Sequence, residues 1–445
     1  MMRLMKNIIP TIILTALCCG TPAHAAQPTP EQLQKIKHII VISLENHSFD
    51  NLFGNFPGAE GLEAAGENAR QVDDAGKPYI TLPALKDGRL PTDLPNRPFP
   101  IDTYIPAREA TPDLVHRFYQ EQEQINGGKM DRFAGVSDAS ALTMGYYDIT
   151  QSTLWKYAQE YTLADHFFHA GFGGSFLNHF WLVCACTPRF ENAPQEMKAS
   201  VDATGKMIKD GAITPDSYAI NTVYSAQIPH PKDSDKAKLL PPQTMPTIGS
   251  RLSEQNVDWA WYSGGWNDAV AGKPSSSFQF HHQPFAYFRE YAEGKAARKV
   301  YLKDEADFLM ALRRGDLPPV SFYKPLGEFN FHPGYARLPA GDMHLADILH
   351  AIEQSTVWKD SVVIVTFDEN GGFWDHVAPP AGDRWGPGAR VPTIIISPFA
   401  RKHYVDHTVY DTTSILKFIE TRFDLQPLGA RDKAANDMTG ALELE

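Results

Sequence analysis

Continuous apolar runs rich in β-branched residues, alternating with helical patterns, constrain the fold of this chain most strongly. Such runs occur at Ile39–Leu44, Tyr161–Ala164, Trp259–Tyr262, Val320–Tyr323, Val362–Phe367 and Thr393–Ile396. Strands that are apolar at every position are typical of a parallel sheet covered on both faces. Helices are predicted at Asp113–Ile125, Gln151–Glu160, Phe176–Ala185, Pro246–Gln255, Leu345–Gln354 and Thr412–Arg422. The pattern therefore predicts a three-layer α/β/α core with a mainly parallel sheet.

Two stretches do not follow this pattern. Residues 58–106 are rich in Gly, Pro, Asp and Asn, and residues 191–242 are polar with scattered Pro. Both are predicted to be surface insertions, as loops or a small cap, and either one could roof a site.

The N-terminal residues have the order of a secretory signal peptide. Arg3 and Lys6 precede an apolar stretch from Ile8 to Cys19, and small residues follow up to Ala26. The apolar stretch is shorter than the ~20 residues of a membrane-spanning helix, which disfavours the alternative of a retained anchor. We expect a signal peptide over residues 1–26, one enzyme domain over residues 27–445, a periplasmic or secreted location and no stable membrane anchor.

Charge and cysteine content exclude further classes. The formal net charge of −12 disfavours a nucleic-acid partner, so an anionic substrate needs a local positive centre such as a metal ion. Only Cys184 and Cys186 follow the predicted signal peptide. A bridge between residues two apart is expected to be strained, which predicts two small buried side chains or free thiols.

Polar residues follow two of the predicted strands directly. Glu45 and Asn46 follow the first strand, and Asp368 and Glu369 follow the strand that ends at Phe367. Ligand sites of open α/β sheets lie beyond the carboxyl ends of the strands. Either pair alone fits a solvated turn, but together they predict oxygen ligands for one divalent cation. Ca²⁺, Mg²⁺ and Mn²⁺ suit such ligands, and nearby histidines leave Zn²⁺ and Fe²⁺ open.

Ser175 follows three glycines and opens a predicted helix. A serine in this place is either a helix N-cap or a nucleophile. A serine hydroxyl attacks only with the help of a base or a metal, and the predicted carboxylate site favours the nucleophile.

Four histidines in loops or at a predicted helix are the remaining chemical groups: His116, His281, His282 and His332. Together they are suited to binding phosphoryl oxygens and protonating a leaving group. If the stretch that contains His281 and His282 is extended, the two side chains point to opposite faces, and one of them should matter more.

Five ordered motifs resemble the bacterial phosphoesterase family that joins respiratory-burst-inhibiting acid phosphatases with phosphatidylcholine-type phospholipases C, within the alkaline-phosphatase-like superfamily. The motifs are Ile39–Asp50, Gly173–His179, His281–Phe288, Phe367–His376 and Arg390–Pro398. The resemblance implies an alkaline-phosphatase-like fold and an exported, metal-dependent hydrolase of small phosphoric esters that forms a phosphoserine.

The resemblance also assigns residues and a subfamily. It implies that Glu45, Asn46, Ser175, Asp368 and Glu369 surround the metal and nucleophile. It implies phosphate-binding and acid-base roles for His116, His282 and His332, with Asn46 beside them and His281 as a weaker match. Many phospholipase C members place threonine where this chain has Ser175 and carry long C-terminal β domains. The resemblance therefore favours the acid-phosphatase branch here, and it implies that the substrates are phosphoric monoesters.

Three alternatives remain at this stage. A phospholipase C or another phosphodiesterase would use the same core residues. A sulfatase would need Cys or Ser followed by x-Pro-x-Arg, and neither Ser175 nor Cys186 has that continuation. A binding protein that merely holds a cation would not need a glycine-flanked serine and a histidine set.

Overall fold

An eight-stranded sheet forms the centre of the protein. We describe it from a computed structural model, which covers residues 28–444, so the expected signal peptide lies outside the described residues. The strands are β1 His38–Leu44, β2 Thr162–Ala164, β3 Trp259–Ser263, β4 Leu302–Asp304, β5 Val320–Lys324, β6 Ser361–Phe367, β7 Thr393–Ile396 and β8 Tyr404–Asp406. Their spatial order is β8-β2-β7-β6-β1-β5-β3-β4. In this sheet only β7 is antiparallel to its neighbours, which confirms the mainly parallel sheet.

The central strands are buried on both faces. Every residue of β3, β5, β6 and β7 is buried, as the continuous apolar runs predict. In the register of the sheet, Leu44 lies opposite Phe367 and Ile42 lies opposite Tyr323. The strands β1, β5 and β6 therefore end at the same edge of the sheet.

Helices cover the two faces. The longer ones are α1 Phe118–Ile125, α2 Thr153–Glu160, α3 Ser175–Cys184, α4 Glu305–Arg314, α5 Leu338–Glu353 and α6 Thr412–Phe423. Shorter helices span Pro30–Leu33, Phe49–Phe53, Leu62–Ala65, Phe133–Val136, Ile248–Glu254, Trp266–Val270, Ala296–Tyr301 and Ala430–Ala434. One group is formed by α2, α4 and α5, and a second by α3, α6 and Ile248–Glu254. The predicted three-layer α/β/α arrangement is confirmed.

The two predicted insertions contain short strands and turns, and the first also contains the helix Leu62–Ala65. Phe99–Pro100 pairs with Gly145–Tyr146, and Ser200–Val201 pairs with Met207–Lys209. A further pair, Phe167–Phe168 with Tyr410–Asp411, lies beside the main sheet. Within residues 28–444, no helix has the length and apolar character needed to cross a membrane.

The helix predicted at Asp113–Ile125 begins later than expected, at Phe118. Two amides before it are bound outside any helix: the N–H of Leu114 donates to Asp113 Oδ1 at 2.9 Å, and that of Val115 donates to Asp138 Oδ1 at 2.9 Å. These side-chain acceptors compete with helical hydrogen bonds. The prediction that His116 lies on a helix is therefore wrong, and this residue belongs to the extended segment before α1.

The prediction of unpaired cysteines is also wrong. Cys184 and Cys186 form a disulfide, with Cα atoms 5.1 Å apart. The helix α3 ends at Cys184, and Ala185 takes the left-handed conformation with φ of 47°. This residue turns the chain, so that Cys186 comes back to the end of the helix.

Candidate active site

The strands β1, β5 and β6 bring five polar side chains to one edge of the sheet. Glu45 and Asn46 follow β1, Lys324 ends β5, and Asp368 and Glu369 follow β6. All five are buried, and Asn46, Lys324 and Glu369 have 0% exposed surface. Three carboxyl groups shielded from water can all be ionised only if positive charge lies nearby.

Lys324 and His282 supply part of that positive charge. Nζ of Lys324 lies 2.7 Å from Oε1 of Glu45 and 3.3 Å from Oδ2 of Asp368. Nε2 of His282 lies 2.5 Å from the same Glu45 oxygen. Burial alone would raise the pKa of Glu45, but His282 and Lys324 hold this pKa well below its ordinary value. Glu45 is therefore ionised.

Asp368 and Glu369 have less positive charge near them than Glu45 has. Burial raises the pKa of Asp368 more than Lys324 lowers it. Burial and the neighbouring Asp368 raise the pKa of Glu369 well above its ordinary value. A divalent cation would relieve both groups, because it favours their ionised forms.

The donor atoms fit such a cation. Oδ1 of Asn46 is buried and has no hydrogen-bond partner in the described chain. Glu45, Asp368 and His179 offer ligand atoms that lie within 4.8 Å of one another. An orphaned amide oxygen beside three carboxyl groups is the oxygen-rich set that hard divalent cations prefer.

Ser175 begins α3 beside this acidic cluster. Its Oγ lies 3.4 Å from Oε1 of Glu369. The N-cap of the helix is Gly174, which has no side chain to accept from the first helical N–H groups. Gly173 has φ of 83°, and a Cβ there would collide with the backbone N of Phe118. The glycines therefore allow a close turn and leave N–H groups that can face an anion.

The amide of Asn178 fixes this turn from within the helix. Its Oδ1 accepts from the N–H of Gly171 at 2.8 Å. Its Nδ2 donates to the carbonyl oxygens of Gly171 at 2.9 Å and Gly173 at 3.0 Å. Asn178 is 1% exposed, so these bonds are made away from water and hold Ser175 in place.

A cavity of about 250 Å³ opens above Ser175. Its lining includes five residues predicted for the site: Glu45, His116, Ser175, His281 and His332. Asn221 and Thr222, from the predicted insertion 191–242, also line it. Asn46, His282, Asp368 and Glu369 are not among the lining residues and lie beneath or beside them. The structure thus brings all nine predicted residues to one place.

The histidines take different positions around the cavity. Nε2 of His116 lies 3.7 Å from Oε1 of Glu369 and 3.5 Å from Nδ2 of Asn46. Nε2 of His332 lies 3.9 Å from Oε2 of Glu45. His281 lines the cavity, whereas His282 points to Glu45.

The stretch with His281 and His282 is not extended. It is a 3₁₀ turn over Phe280–His282, and the two rings are nearly perpendicular at 84°. Burial lowers the pKa of His281 and of His332, so these two imidazoles favour the neutral form in the free protein. For His282, the neighbouring Glu45 carboxylate opposes the effect of burial on the pKa. A bound phosphoryl anion would favour their protonated forms.

Sequence reasoning missed four residues of this neighbourhood. Lys324 follows a predicted strand directly, and the rule that found Glu45 and Asp368 would have found it too. Asn178 and His179 lie in the motif Gly173–His179 and in a predicted apolar helix, but neither pattern indicated a role for them in the site. Tyr335, whose hydroxyl donates to Oε2 of Glu45 at 3.3 Å, had no local signal.

Comparisons with known proteins give a consistent family. The model of the phosphoesterase family matches residues 36–426. Phospholipase C B of Mycobacterium tuberculosis is 26% identical over 470 residues, which cover 94% of this chain and 79% of the relative. The non-hemolytic phospholipase C of Pseudomonas aeruginosa is 24% identical over 457 residues, which cover 94% of this chain and 57% of the relative.

Solved structures give weaker likenesses. A protein in the alkaline phosphatase superfamily from Vibrio parahaemolyticus aligns over 84% of this chain and 78% of its own, with 11% identity and a TM-score of 0.35. The lipoteichoic acid synthase LtaP from Listeria monocytogenes aligns over 66% and 68%, with 9% identity and a TM-score of 0.35. Because both scores are low, they carry no weight for function.

Proposed function

The chain belongs to the phosphoesterase family, and from that premise we propose that it hydrolyses phosphoric esters with Ser175 as its nucleophile. The position of the Ser175 hydroxyl carries this proposal. Ser175 lines the cavity and begins α3, and its Oγ lies 3.4 Å from Oε1 of the buried Glu369. A serine that only capped its helix would not need this acidic cluster.

The residues of the site divide the reaction into two displacements. Oγ of Ser175 loses its proton to solvent and attacks phosphorus, the bond to the leaving oxygen breaks, and the departing alcohol takes a proton from a histidine. Water then attacks the phosphoserine and gives a proton back to that histidine. The bond between phosphorus and Oγ breaks, Oγ regains a proton, and the phosphoryl group leaves as phosphate or as a phosphate monoester. The N–H groups at the start of α3 face the phosphoryl oxygens and stabilise their negative charge.

His116 and His332 are our choices for the proton donor. Both line the cavity, and their rings are 5.6 Å apart. His281 lies on the cavity wall, where it can bind a phosphoryl oxygen. His282 has a positioning role, because its Nε2 holds Glu45.

A metal ion completes the proposed site. Glu45, Asn46, Asp368 and Glu369 would hold it beside Ser175. When bound, it would lower the pKa of the serine hydroxyl and neutralise charge on the phosphoryl oxygens. Oxygen ligands of this kind suit Ca²⁺, Mg²⁺ and Mn²⁺.

The substrate class is proposed from the relatives. Both named relatives are phospholipases C, which favours phosphodiesters over the acid phosphatase activity expected from the sequence motifs. Phosphomonoesters remain a second candidate, because the resemblance associates many phospholipases C with threonine where this chain has Ser175. We also propose that the protein is exported, as the predicted signal peptide indicates.

The variant Ser175→Ala tests the nucleophile. We expect turnover to fall by at least a thousandfold on every ester, with an unchanged free energy of unfolding, since only one oxygen is removed. Ser276→Ala, at an exposed position, is the matched control and should keep full activity. An aryl phosphate, an aryl phosphodiester and phosphatidylcholine should be assayed together. Equal rates for Ser175→Ala and the native protein would contradict the proposal.

A further inference from the structure

A second group of histidines and carboxylates lies at the same edge of the sheet as the Ser175 site. Asp165 and His166 follow β2, and His407 follows β8, the parallel neighbour of β2. Nδ1 of His166 lies 2.8 Å from Oδ1 of Asp165, and Nδ1 of His407 lies 2.9 Å from Oδ2. The proposed ester hydrolysis uses none of these three residues.

Glu60 joins this group to another buried histidine. Its Oε2 lies 3.0 Å from Nε2 of His166, and its Oε1 lies 3.9 Å from Nε2 of His376. The N–H of Glu60 donates to Oδ2 of Asp165 at 2.9 Å, which fixes its backbone. The Glu60 side chain is 45% exposed, so the group can be reached from solvent. Two imidazole nitrogens therefore face one accessible carboxylate.

Each of these two imidazoles is oriented by a buried carboxylate on its far side. Asp165, which is 0% exposed, holds Nδ1 of His166. Asp50, which is 1% exposed, holds Nδ1 of His376 at 2.7 Å. A carboxylate on Nδ1 with Nε2 pointing at a ligand position is the usual support of a metal-binding histidine.

The free nitrogen of His376 is the second observation that points to a ligand. The His376 side chain is only 6% exposed, and its Nε2 is buried without a hydrogen-bond partner in the described chain. A buried ring nitrogen left in this state is unfavourable unless something binds it. It points toward Glu60.

The charge of the surroundings favours a cation. Four carboxylates lie around His166 and His376, namely Asp50, Glu60, Asp165 and Asp375. Arg390 is the permanent positive charge among them, with Nε 2.8 Å from Oδ1 of Asp375 and Nη2 3.2 Å from Oδ1 of Asp50. A divalent cation would offset most of the remaining negative charge.

We propose that Glu60, His166 and His376 bind a second divalent cation, separate from the Ser175 site, with Asp165 and Asp50 orienting the two histidines. Two nitrogen ligands and one oxygen ligand suit Zn²⁺, whose tetrahedral ligand atoms lie about 3.4 Å apart. Nε2 of His166 lies 3.0 Å from Oε2 of Glu60, and Nε2 of His376 lies 3.9 Å from Oε1, so both nitrogens face the same carboxylate. His407 stays on Asp165 and supports it.

Zinc stoichiometry tests this site in the full-length protein. The background should be Asp368→Asn with Glu369→Gln, so that the Ser175 site no longer competes for metal. After chelator treatment, calorimetric titration with ZnCl₂ should show one equivalent bound, and the melting temperature should rise with zinc. Adding His166→Ala or Glu60→Gln should weaken zinc binding at least tenfold and remove the rise.

His403→Ala is the matched control, because this exposed histidine lies close in sequence and its ring lies against the carbonyl oxygen of Gln159, away from Glu60. It should keep the equivalent of zinc. Glu60→Gln keeps the size of an accessible side chain, so it serves where His166→Ala unfolds the protein. Unchanged zinc affinity in both Glu60→Gln and His166→Ala would overturn the proposal.

Discussion

Lys324 has no exposed surface and lies between two carboxyl groups of the site. Its Nζ is 2.7 Å from Glu45 and 3.3 Å from Asp368. Removing one partner of a buried ionic group leaves the others uncompensated, at a cost of about 3 kcal/mol. We expect Lys324→Met to lower the free energy of unfolding by about that amount in chelator, and by less with metal present, because the cation replaces the lost charge.

Urea unfolding with and without the metal measures this difference. Lys299→Met, at an exposed position, should change the free energy of unfolding by less than about 0.5 kcal/mol in either condition. Equal destabilisation of Lys324→Met with and without metal would show that no cation shares this cluster.

At the same scale, the sequence predicted the residues that follow apolar strands better than those in loops. Glu45 and Asp368 are fixed by the strand before them, so their convergence follows from a parallel sheet. The separate directions of His281 and His282 depend on a 3₁₀ turn that no periodicity reveals. Tyr335 reaches Glu45 from a distant loop, and its contact exists only in the folded chain.

Among the secondary-structure elements, α3 and the glycine turn before it carry the nucleophile. Asn178 makes three of the bonds that close this turn, to Gly171 and Gly173. We expect Asn178→Leu to lower kcat about a hundredfold with a smaller change in KM, because a nucleophile displaced by about 1 Å loses its alignment. Steady-state kinetics measures this. A normal kcat in a folded Asn178→Leu protein would show that the glycine turn keeps its conformation without the hydrogen bonds of Asn178.

The helix α6 contains a titrating group away from the site. Glu420 lies beside Asp432, which accepts from the N–H groups of Leu428 at 2.5 Å and Gly429 at 2.8 Å. Burial and the neighbouring Asp432 raise the pKa of Glu420 from its ordinary 4.5 to about 8. The folded protein thus binds more protons than the unfolded chain between these values, so this group's stabilisation is complete below pH 4.5 and is lost as pH rises through 8.

The variant Glu420→Gln should remove this dependence. The quantity to compare is the free energy of unfolding of Glu420→Gln minus that of the native protein. We expect this difference to be larger at pH 8.5 than at pH 5, by on the order of 2 to 4 kcal/mol. Urea unfolding at both pH values measures the shift. Parallel pH profiles of the two proteins would mean that Glu420 titrates normally.

Elements with one continuous pattern were predicted well, and those with mixed patterns were not. The strands β1, β6 and β7 match their apolar runs to within one residue. The edge strands β4, Leu302-Lys-Asp304, and β8, Tyr404-Val-Asp406, are short and partly polar, so no distinct apolar pattern marks them. The start of α1 was misplaced because Asp113 looks like a helix cap but binds the N–H of Leu114 outside the helix.

At the scale of the whole molecule, we expect catalysis to depend on a metal ion. Chelator should abolish ester hydrolysis, and a divalent cation should restore it, because three buried carboxyl groups then regain a counter-charge. In the double variant Asp368→Asn with Glu369→Gln, the added cation should not restore activity. Activity that survives exhaustive chelation would remove the metal from the mechanism.

The order of the sheet explains why the whole site was only partly predictable. Alternating strands and helices predict a parallel sheet, but not that β6, β1 and β5 are neighbours or that β7 is antiparallel. That order decides which strand ends meet. It also brings β2 beside β8 and so creates the second group of histidines, which no single segment of sequence suggested.

Trapping the covalent intermediate tests the central claim most directly. Turnover of an aryl phosphate is stopped with acid, the protein is digested, and the peptide that contains Ser175 is weighed by mass spectrometry. We expect the mass of one phosphoryl group on Ser175 during turnover, and none before substrate is added or in Ser175→Ala. Turnover at the full rate without a phosphoryl group on Ser175, together with an active Ser175→Ala protein, would contradict the account.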